Sequence, residues 1–449
     1  MPTVSLCARV SLALALLSSF APSYGQDLLQ VWQLAQQRDP TYAAARASRN
    51  ADQEIIPQAR AQLLPYIQAD ALGDLDNTRR LRGLDNSSSR RHAAWALTLI
   101  QPVIDFGKWD RLQQSEYVAA SANIGLQQAY QNLILRTAQA YFDVLAAQDS
   151  LRAFRAQKSA VATQLRAAQQ SFELGSTTIA DAYEAQSRLD LLNANELLAQ
   201  NNLQVAQDLL AQIIAERPTA LAELAANTTL PAPSPNRLGD WTNQSVHASF
   251  EVARAQLTAK IVEKNIDIAK SNHKPVLELQ AQTGSASNRG IYGVDQGGPR
   301  SLDTTIGLQL SIPLFAGGGI SSQVREQTSR LQQARYDLEA AKRQAVQSTQ
   351  QYFSGVTSGL AQVQALQAAE KSSLASLQAN QTGYEVGVRI NIDVLNAQQQ
   401  LYETQRALSR ALYDTLMNSL KLKASSGILN EADIVAINRL LRPANNAKP

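Results

Sequence analysis

Much of the chain occurs twice, at a separation close to 211 residues. Phe172-Glu173-Leu174-Gly175, then Asp181 and Ala185-Gln186, return as Tyr384-Glu385-Val386-Gly387, Asp393 and Ala397-Gln398, all offset by 212. Tyr141-Phe142 returns as Tyr352-Phe353, and Leu97-Thr98-Leu99 to Pro102 as Leu308-Gln309-Leu310 to Pro313, at 211. Ala59-Arg60 to Pro65 returns as Ala269-Lys270 to Pro275 at 210, so single-residue insertions account for the drift. A period this long marks a duplicated structural unit, and whatever one half builds the other builds again about a pseudo-axis.

The N-terminus places one basic residue, Arg9, before an apolar run from Val10 to Leu17 that ends in Ser18-Ser19-Phe20-Ala21-Pro22-Ser23-Tyr24-Gly25. Ser23 and Gly25 suit the small-residue positions of a cleaved export signal, and the run is too short to span a bilayer. The single cysteine, Cys7, lies in this segment, so a chain starting near Gln26 has no disulfide and no thiol for lipid attachment. The 41 basic and 38 acidic residues are well mixed, leaving net +3 and no basic face for nucleic acid. Arg79, Arg80, Arg82, Arg90 and Arg91 cluster around a Gly- and Ser-containing loop and read as a solvated, lipopolysaccharide-facing segment. No later stretch is apolar enough for a membrane helix, so any membrane entry requires a closed β-barrel.

From Pro102 to Gly175 there is no proline and only two glycines, Gly107 and Gly125, which allows one helix of about 65 to 70 residues, roughly 100 Å long. Leu126, Tyr130, Leu133, Thr137, Ala140, Val144, Ala147, Leu151, Phe154, Lys158, Val161, Leu165, Ala168 and Phe172 alternate steps of four and three, the spacing of coiled-coil packing. Gly175 interrupts that stripe, and Ser176 to Arg217 again lacks glycine and proline, so a second helix returns antiparallel as a hairpin. The second half repeats the design with a turn at Val386 to Ile390.

Ahead of each hairpin the period changes to two. Ile306, Leu308, Leu310 and Ile312 alternate with Thr305, Gly307, Gln309 and Ser311, and Leu277, Leu279 and Ala281 with Glu278, Gln280 and Gln282. Trp95, Leu97 and Leu99, and Ile67, Ala69 and Ala71, do the same in the first half, around polar loops at Asn77 to Arg91 and Ser285 to Leu302. Strands of about 10 residues fit a tilted membrane crossing, whereas two soluble hairpins are the alternative reading. Four strands cannot close a barrel, so the membrane reading requires several chains to share one.

These features give a domain plan: signal peptide 1–25; a first repeat 26–226, with strands about 65–76 and 92–102 and a helical hairpin about 103–217; and a Pro-rich linker 227–240 carrying Pro231, Pro233 and Pro235. A second repeat 241–426 follows, with strands about 275–284 and 303–313 and a hairpin about 319–425, and then a C-terminal segment 427–449. The class is mostly α, with a membrane β-barrel. No cofactor or catalytic chemistry is indicated. His92, His247 and His273 are far apart, Ser, His and Asp occur in no nucleophile setting, and Gly317-Gly318-Gly319 lacks the Lys of a phosphate loop and suits a strand-to-helix turn.

Val386 to Leu395, Leu416-Met417-Asn418-Ser419-Leu420-Lys421-Leu422-Lys423, Gly427 to Asp433, Phe172 to Gly175 and Leu63-Leu64-Pro65 resemble the TolC family of outer-membrane efflux and secretion ducts. The resemblance covers essentially the whole chain after residue 25. It implies a homotrimer whose 12-stranded barrel, four strands per chain, sits in outer-membrane lipid of a Gram-negative bacterium and continues as a periplasmic α-helical barrel. It further implies an export duct working with a periplasmic adaptor and an inner-membrane transporter; a periplasmic coiled-coil adaptor or scaffold is the alternative. The hairpin tips, at Gly175 and Gly387, would form the periplasmic gate. Tyr384 and Arg389 match positions that hold the family's closed state. Their aspartate partner falls at Arg166, and Val161 to Ser171 contains no acid, leaving backbone carbonyls or Glu173. Asp393 matches the outer of two acidic pore rings, and the inner position is Asn396. Asp393 is also open to a plainer reading as a first-turn residue of its helix, like Asp181.

Overall fold

The structure, a computed structural model, describes residues 26–78, 88–218, 220–225, 228–286 and 301–442. The expected signal segment, Arg79, Arg80 and Arg82, the centre of the second polar loop and the last seven residues lie outside these. In order the elements are α1 (Leu28–Arg38), α2 (Pro40–Gln53), α3 (Ile55–Ala61), β1 (Tyr66–Thr78), β2 (Ser88–Ile104), α4 (Phe106–Glu173), α5 (Ile179–Ile214) and β3 (Glu223–Leu224). There follow α6 (Leu238–Ala248), α7 (Phe250–Ser271), β4 (Val276–Ala286), β5 (Ser301–Ser311), α8 (Gly319–Glu385), α9 (Asn391–Ser425), α10 (Glu431–Asn438) and β6 (Leu441–Arg442). Two compact units each draw on both repeats: one spans Ala45–Gln128 and Phe250–Gln344, the other the described residues before and after these and Ala129–Ser249.

The first of these units carries the sheet. Its strands run in the order β1-β2-β4-β5, every neighbour antiparallel, so the central pairing of β2 with β4 joins the two halves of the sequence. Register separates the faces. Ile67, Leu99, Ala281 and Ile306 stand abreast on one side, and Gln68, Thr98, Gln282 and Thr305 on the other. Ile306, Leu308 and Leu310 are each more than half exposed, while on the polar side Gln280 Nε2 donates to Gln309 Oε1 at 2.7 Å. The sheet is therefore one-sided, and its outer strands β1 and β5 have free edges within the chain. Pro102 has no N–H for the ladder, and the register slips between Pro102 and Ile104, a bulge at the end of β2. Gly317 and Gly318 turn the chain from β5 toward α8 with φ of +59° and +81°, values that glycine accepts without strain.

The other unit holds the hairpins. Leu133, Val144, Leu151, Val161, Leu165 and Ala168 of the four-three stripe are buried along α4, whereas Phe172 at its end is exposed. On α8 the glycines do packing work: a Cβ on Gly359 would lie 2.4 Å from Thr415 Oγ1, and one on Gly355 2.9 Å from Asn418 Nδ2, so α8 and α9 approach closely there. The main apolar core gathers Leu28, Val31 and Trp32 of α1, Leu133 to Leu145 of α4, Leu210 and Ile214 of α5, Leu416 and Leu420 of α9, and Ile434 and Ile437 of α10. Capping boxes start the two short helices: Asp27 with Gln30 for α1, Asn430 with Asp433 for α10. The far end of α10 meets the start of α1, because Asn438 Nδ2 donates to Asp27 Oδ2 at 3.0 Å and Asn438 Oδ1 accepts from the Leu29 N–H at 3.3 Å. Beside them β3 pairs with β6, and the Tyr141 hydroxyl donates to the Ala222 carbonyl at 2.7 Å. Burial holds that phenol well above the usual tyrosine range.

From residue 228 through 237 the Pro-rich stretch carries no helix or strand, but α6 begins at Leu238, inside the expected linker. Trp241 explains this. Its ring is buried with Val356 and Leu422, and its Nε1 donates to the Pro235 carbonyl at 2.7 Å, tying the stretch to the core.

A methyl group at Gly284 would meet the Trp95 carbonyl oxygen at 2.2 Å and Ala96 Cα at 2.9 Å across the β2–β4 seam. Gly284→Ala should therefore cost about 1–3 kcal/mol of overpacking, whereas Gly73→Ala, whose Cβ meets nothing within 4 Å, should be far milder. Urea midpoints followed by tryptophan fluorescence check this, and equal midpoints for the two variants would contradict it.

Candidate functional site

The two hairpin ends are built by the same turn. In each, a glycine with φ near +75° stops the long helix: Gly175 at +73° and Gly387 at +79°. Ser176 N–H donates to the Ser171 carbonyl at 2.9 Å, and its counterpart Val388 to the Gly383 carbonyl, also at 2.9 Å. The second turn adds a bond, because the Arg389 N–H reaches the same Gly383 carbonyl at 3.0 Å. Gly383 makes room for this: a Cβ there would lie 2.6 Å from Arg389 Cγ, and the equivalent residue in the first copy is Ser171.

Tyr384, in the last turn of α8, packs against Leu377, Val394, Ala397 and Leu401. Arg389 extends from the turn with Nη1 at 3.8 Å from Asp393 Oδ2, one helical turn further on. This exposed pair contributes about 0.3–0.5 kcal/mol at most. Asp393 occupies the first turn of α9 as Asp181 does that of α5, where an anion suits the helix dipole; neither is the N-cap, which is Ile390 or Thr178. Arg166, at the position where the family resemblance led to an expected aspartate, bends back on its own helix to the Ala162 carbonyl and Thr163 Oγ1. Glu173, the other candidate partner, is exposed.

Asn396 is exposed on α9 and engages the first hairpin. Arg188 of α5 donates from Nη2 to Asn396 Oδ1 at 2.8 Å, from Nη1 to Gln399 Oε1 at 2.8 Å, and from Nε to Glu184 Oε1 at 3.0 Å. A second bridge is buried. Asn391, 1% exposed, accepts from Gln164 Nε2 of α4 at 2.7 Å and donates to the Asp181 carbonyl of α5 at 3.2 Å, so one amide joins three helices. Further along, Glu196 accepts from Lys158 at 2.8 Å and Arg155 at 3.1 Å, and these two cations, Lys158 foremost, lower its pKa. Arg406 of α9 lies over the Phe154 ring at 4.2 Å.

Sequence reasoning singled out Tyr384, Arg389, Asp393 and Asn396, but missed Asn391, Gln164, Arg188 and Gly383. The contrast between the copies carried a signal for these. Asn391 replaces the apolar Ile179, and Gly383 replaces Ser171. Among the described residues no group of three His, Cys, Asp or Glu side chains is placed to hold a metal, and no helix is long and apolar enough to cross a membrane.

A family model described as outer membrane efflux protein matches residues 31–216 and 241–428, one stretch for each repeat. The chain belongs to this family. Its place is therefore the outer membrane, extending into the periplasm, and its task is export. The chain is 32% identical to outer membrane protein TolC of Escherichia coli K12 over 441 residues, covering 96% of this chain and 89% of the relative. It is 28% identical to the proteases secretion protein PrtF of Dickeya chrysanthemi, with 95% and 94% covered. In fold it resembles the crystal structure of the Campylobacter jejuni CmeC outer membrane channel, at a TM-score of 0.76 and 14% identity over 94% of this chain and 93% of that one.

Asn391→Leu would keep the branched shape of the side chain but strip Gln164 and the Asp181 carbonyl of their shared partner, at a cost of about 1–3 kcal/mol for the groups left unpaired. The expected result is faster cleavage near the tips in limited proteolysis, with the rest of the chain as resistant as before. An unchanged tip cleavage rate would show that the bridge holds nothing.

Proposed function

We propose that three copies of this chain close one 12-stranded β-barrel and a helical tunnel behind it, forming the outer-membrane exit duct of an efflux pump or type I secretion system. The observation that supports this most directly is the open sheet with one apolar face. Its strands alternate in direction along β1-β2-β4-β5, so β5 of one copy meets β1 of the next antiparallel, and every edge is satisfied once the ring closes. The helical tips would be the periplasmic end, engaged by an adaptor protein and an inner-membrane transporter that supplies the energy. The family match across both repeats speaks against the alternative of an adaptor or scaffold.

At that end Tyr384, Arg389, Asp393 and Asn396 are the gate and pore residues of this reading, and Gly175 and Gly387 its hinges. Gly383, by freeing space for Arg389 in the second copy alone, supports a division of labour in which the second hairpins move and the first ones back them. Three symmetry-related Asp393 carboxylates at a narrow opening would favour cations.

Membrane fractionation and gel mobility test the duct: an outer-membrane, heat-modifiable trimer is expected, and a soluble periplasmic monomer would reject it. For the gate, Tyr384→Phe combined with Arg389→Ser should raise single-channel conductance in planar bilayers. Unchanged conductance would place the restraint elsewhere.

A further inference from the structure

Positions 184 and 396 are the same position in the two copies, 212 residues apart, yet one holds a carboxylate and the other an amide. In the folded protomer a single side chain bridges them. Arg188 binds Glu184 Oε1 at 3.0 Å through Nε and Asn396 Oδ1 at 2.8 Å through Nη2, with Gln399 on Nη1. Its own counterpart, Gln400, is neutral and bonds to Thr404 on its own helix at 3.3 Å. The guanidinium therefore belongs to one copy and serves both. The arrangement as built is neutral: one acid, one base, two amides. It also communicates with solvent, since the Arg188 side chain is 24% exposed and that of Glu184 42%.

We propose that Arg188 sets the charge of the layer next to the Asp393 ring, making it a determinant of ion selectivity. The inference rests on the reading above that the first turns of α9 face the conduction path. An arginine is permanently charged and its fork is filled by three acceptors, so the cation is held at a fixed place. It cancels Glu184 and no more, so a carboxylate introduced at 396 would leave the layer with one negative charge per protomer. The selectivity of the opening then comes from Asp393, while the layer holding Glu184 and Asn396 contributes none. Removing the cation uncovers three Glu184 carboxylates per trimer, and removing Glu184 uncovers three guanidinium groups.

The test is the reversal potential of the purified trimer in planar bilayers under a potassium chloride gradient, for Arg188→Gln, Arg188→Lys, Glu184→Gln and Asp393→Asn. Arg188→Gln keeps an amide beside Asn396 and is expected to raise the cation-to-anion permeability ratio by about two- to fourfold, the effect of a unit charge a few ångströms from an ion in water. Glu184→Gln is expected to lower the ratio, and Arg188→Lys to leave it near wild type, because lysine keeps the charge and loses the fork. Asn396→Asp is also expected to raise the ratio, because it leaves one uncompensated carboxylate per protomer, and more so in the Arg188→Gln background, where Glu184 is uncovered as well. If Asp393→Asn shifts the potential and Arg188→Gln does not, the pore reading stands and the role of Arg188 is wrong. Should neither variant shift it, both fall. A shift by Arg188→Lys equal to that of Arg188→Gln would also overturn the proposal, since the side chain would then act by shape alone.

Discussion

Hydrocarbon offers no partner to a backbone N–H or carbonyl, and that constraint governs the whole design. A chain with four strands and one apolar face leaves both outer strands unsatisfied, so it is incomplete alone. The duplication turns this into a regular solution. Each half supplies two strands, β2 and β4 join the halves, and the remaining edges run in opposite directions, as a closed ring of copies requires. The tight approach of Gly284 to Trp95 marks the seam where the halves meet.

The hairpins answer a different demand. Their stripes are narrow and rich in alanine, and where α8 approaches α9 the seam is lined by glycine against threonine and asparagine. Such packing has modest apolar burial per turn, and direct polar bridges add definition to it: Gln164 and Asp181 with Asn391, Lys158 and Arg155 with Glu196, Arg188 with Asn396. Each bridge is directional and so fixes register between helices that a smooth stripe would leave free to slide. The copies diverge where these bridges fall: Asn391 stands against Ile179, Asn396 against Glu184, and Gln400 against Arg188.

Much of the fold was legible because it follows periodicities. Period two marked the four strands, including which residues share a face: Ile67, Leu99 and Ile306 against Gln68, Thr98 and Thr305. Runs free of proline marked the long helices, and Gly175 and Gly387 their ends. The helices α1 and α10 had readable signals in the Asp27-Gln30 and Asn430-Asp433 boxes, which strand and hairpin patterns overshadowed. The polar bridges were not legible, since Gln164, Arg188 and Asn391 meet only once the two hairpins have taken a mutual register, and no local period encodes that. Arg389 illustrates the limit: its spacing to Asp393 was visible, but the space that admits it is made by a missing methyl group at Gly383.

The meeting of Asp27 with Asn438 spans 411 positions, and it lies beside the pairing of Glu223 with Arg442. Asp27 and Gln30 cap α1 by themselves, and the contact of that cap with α10 joins the two ends of the described sequence. Trp32, Leu133 and Leu210 share their core with Ile434 and Ile437 of α10, so that core is complete only when both ends are in place. The two ends of the described sequence are thereby one structural unit, and neither α1 nor α10 has a complete packing surface of its own.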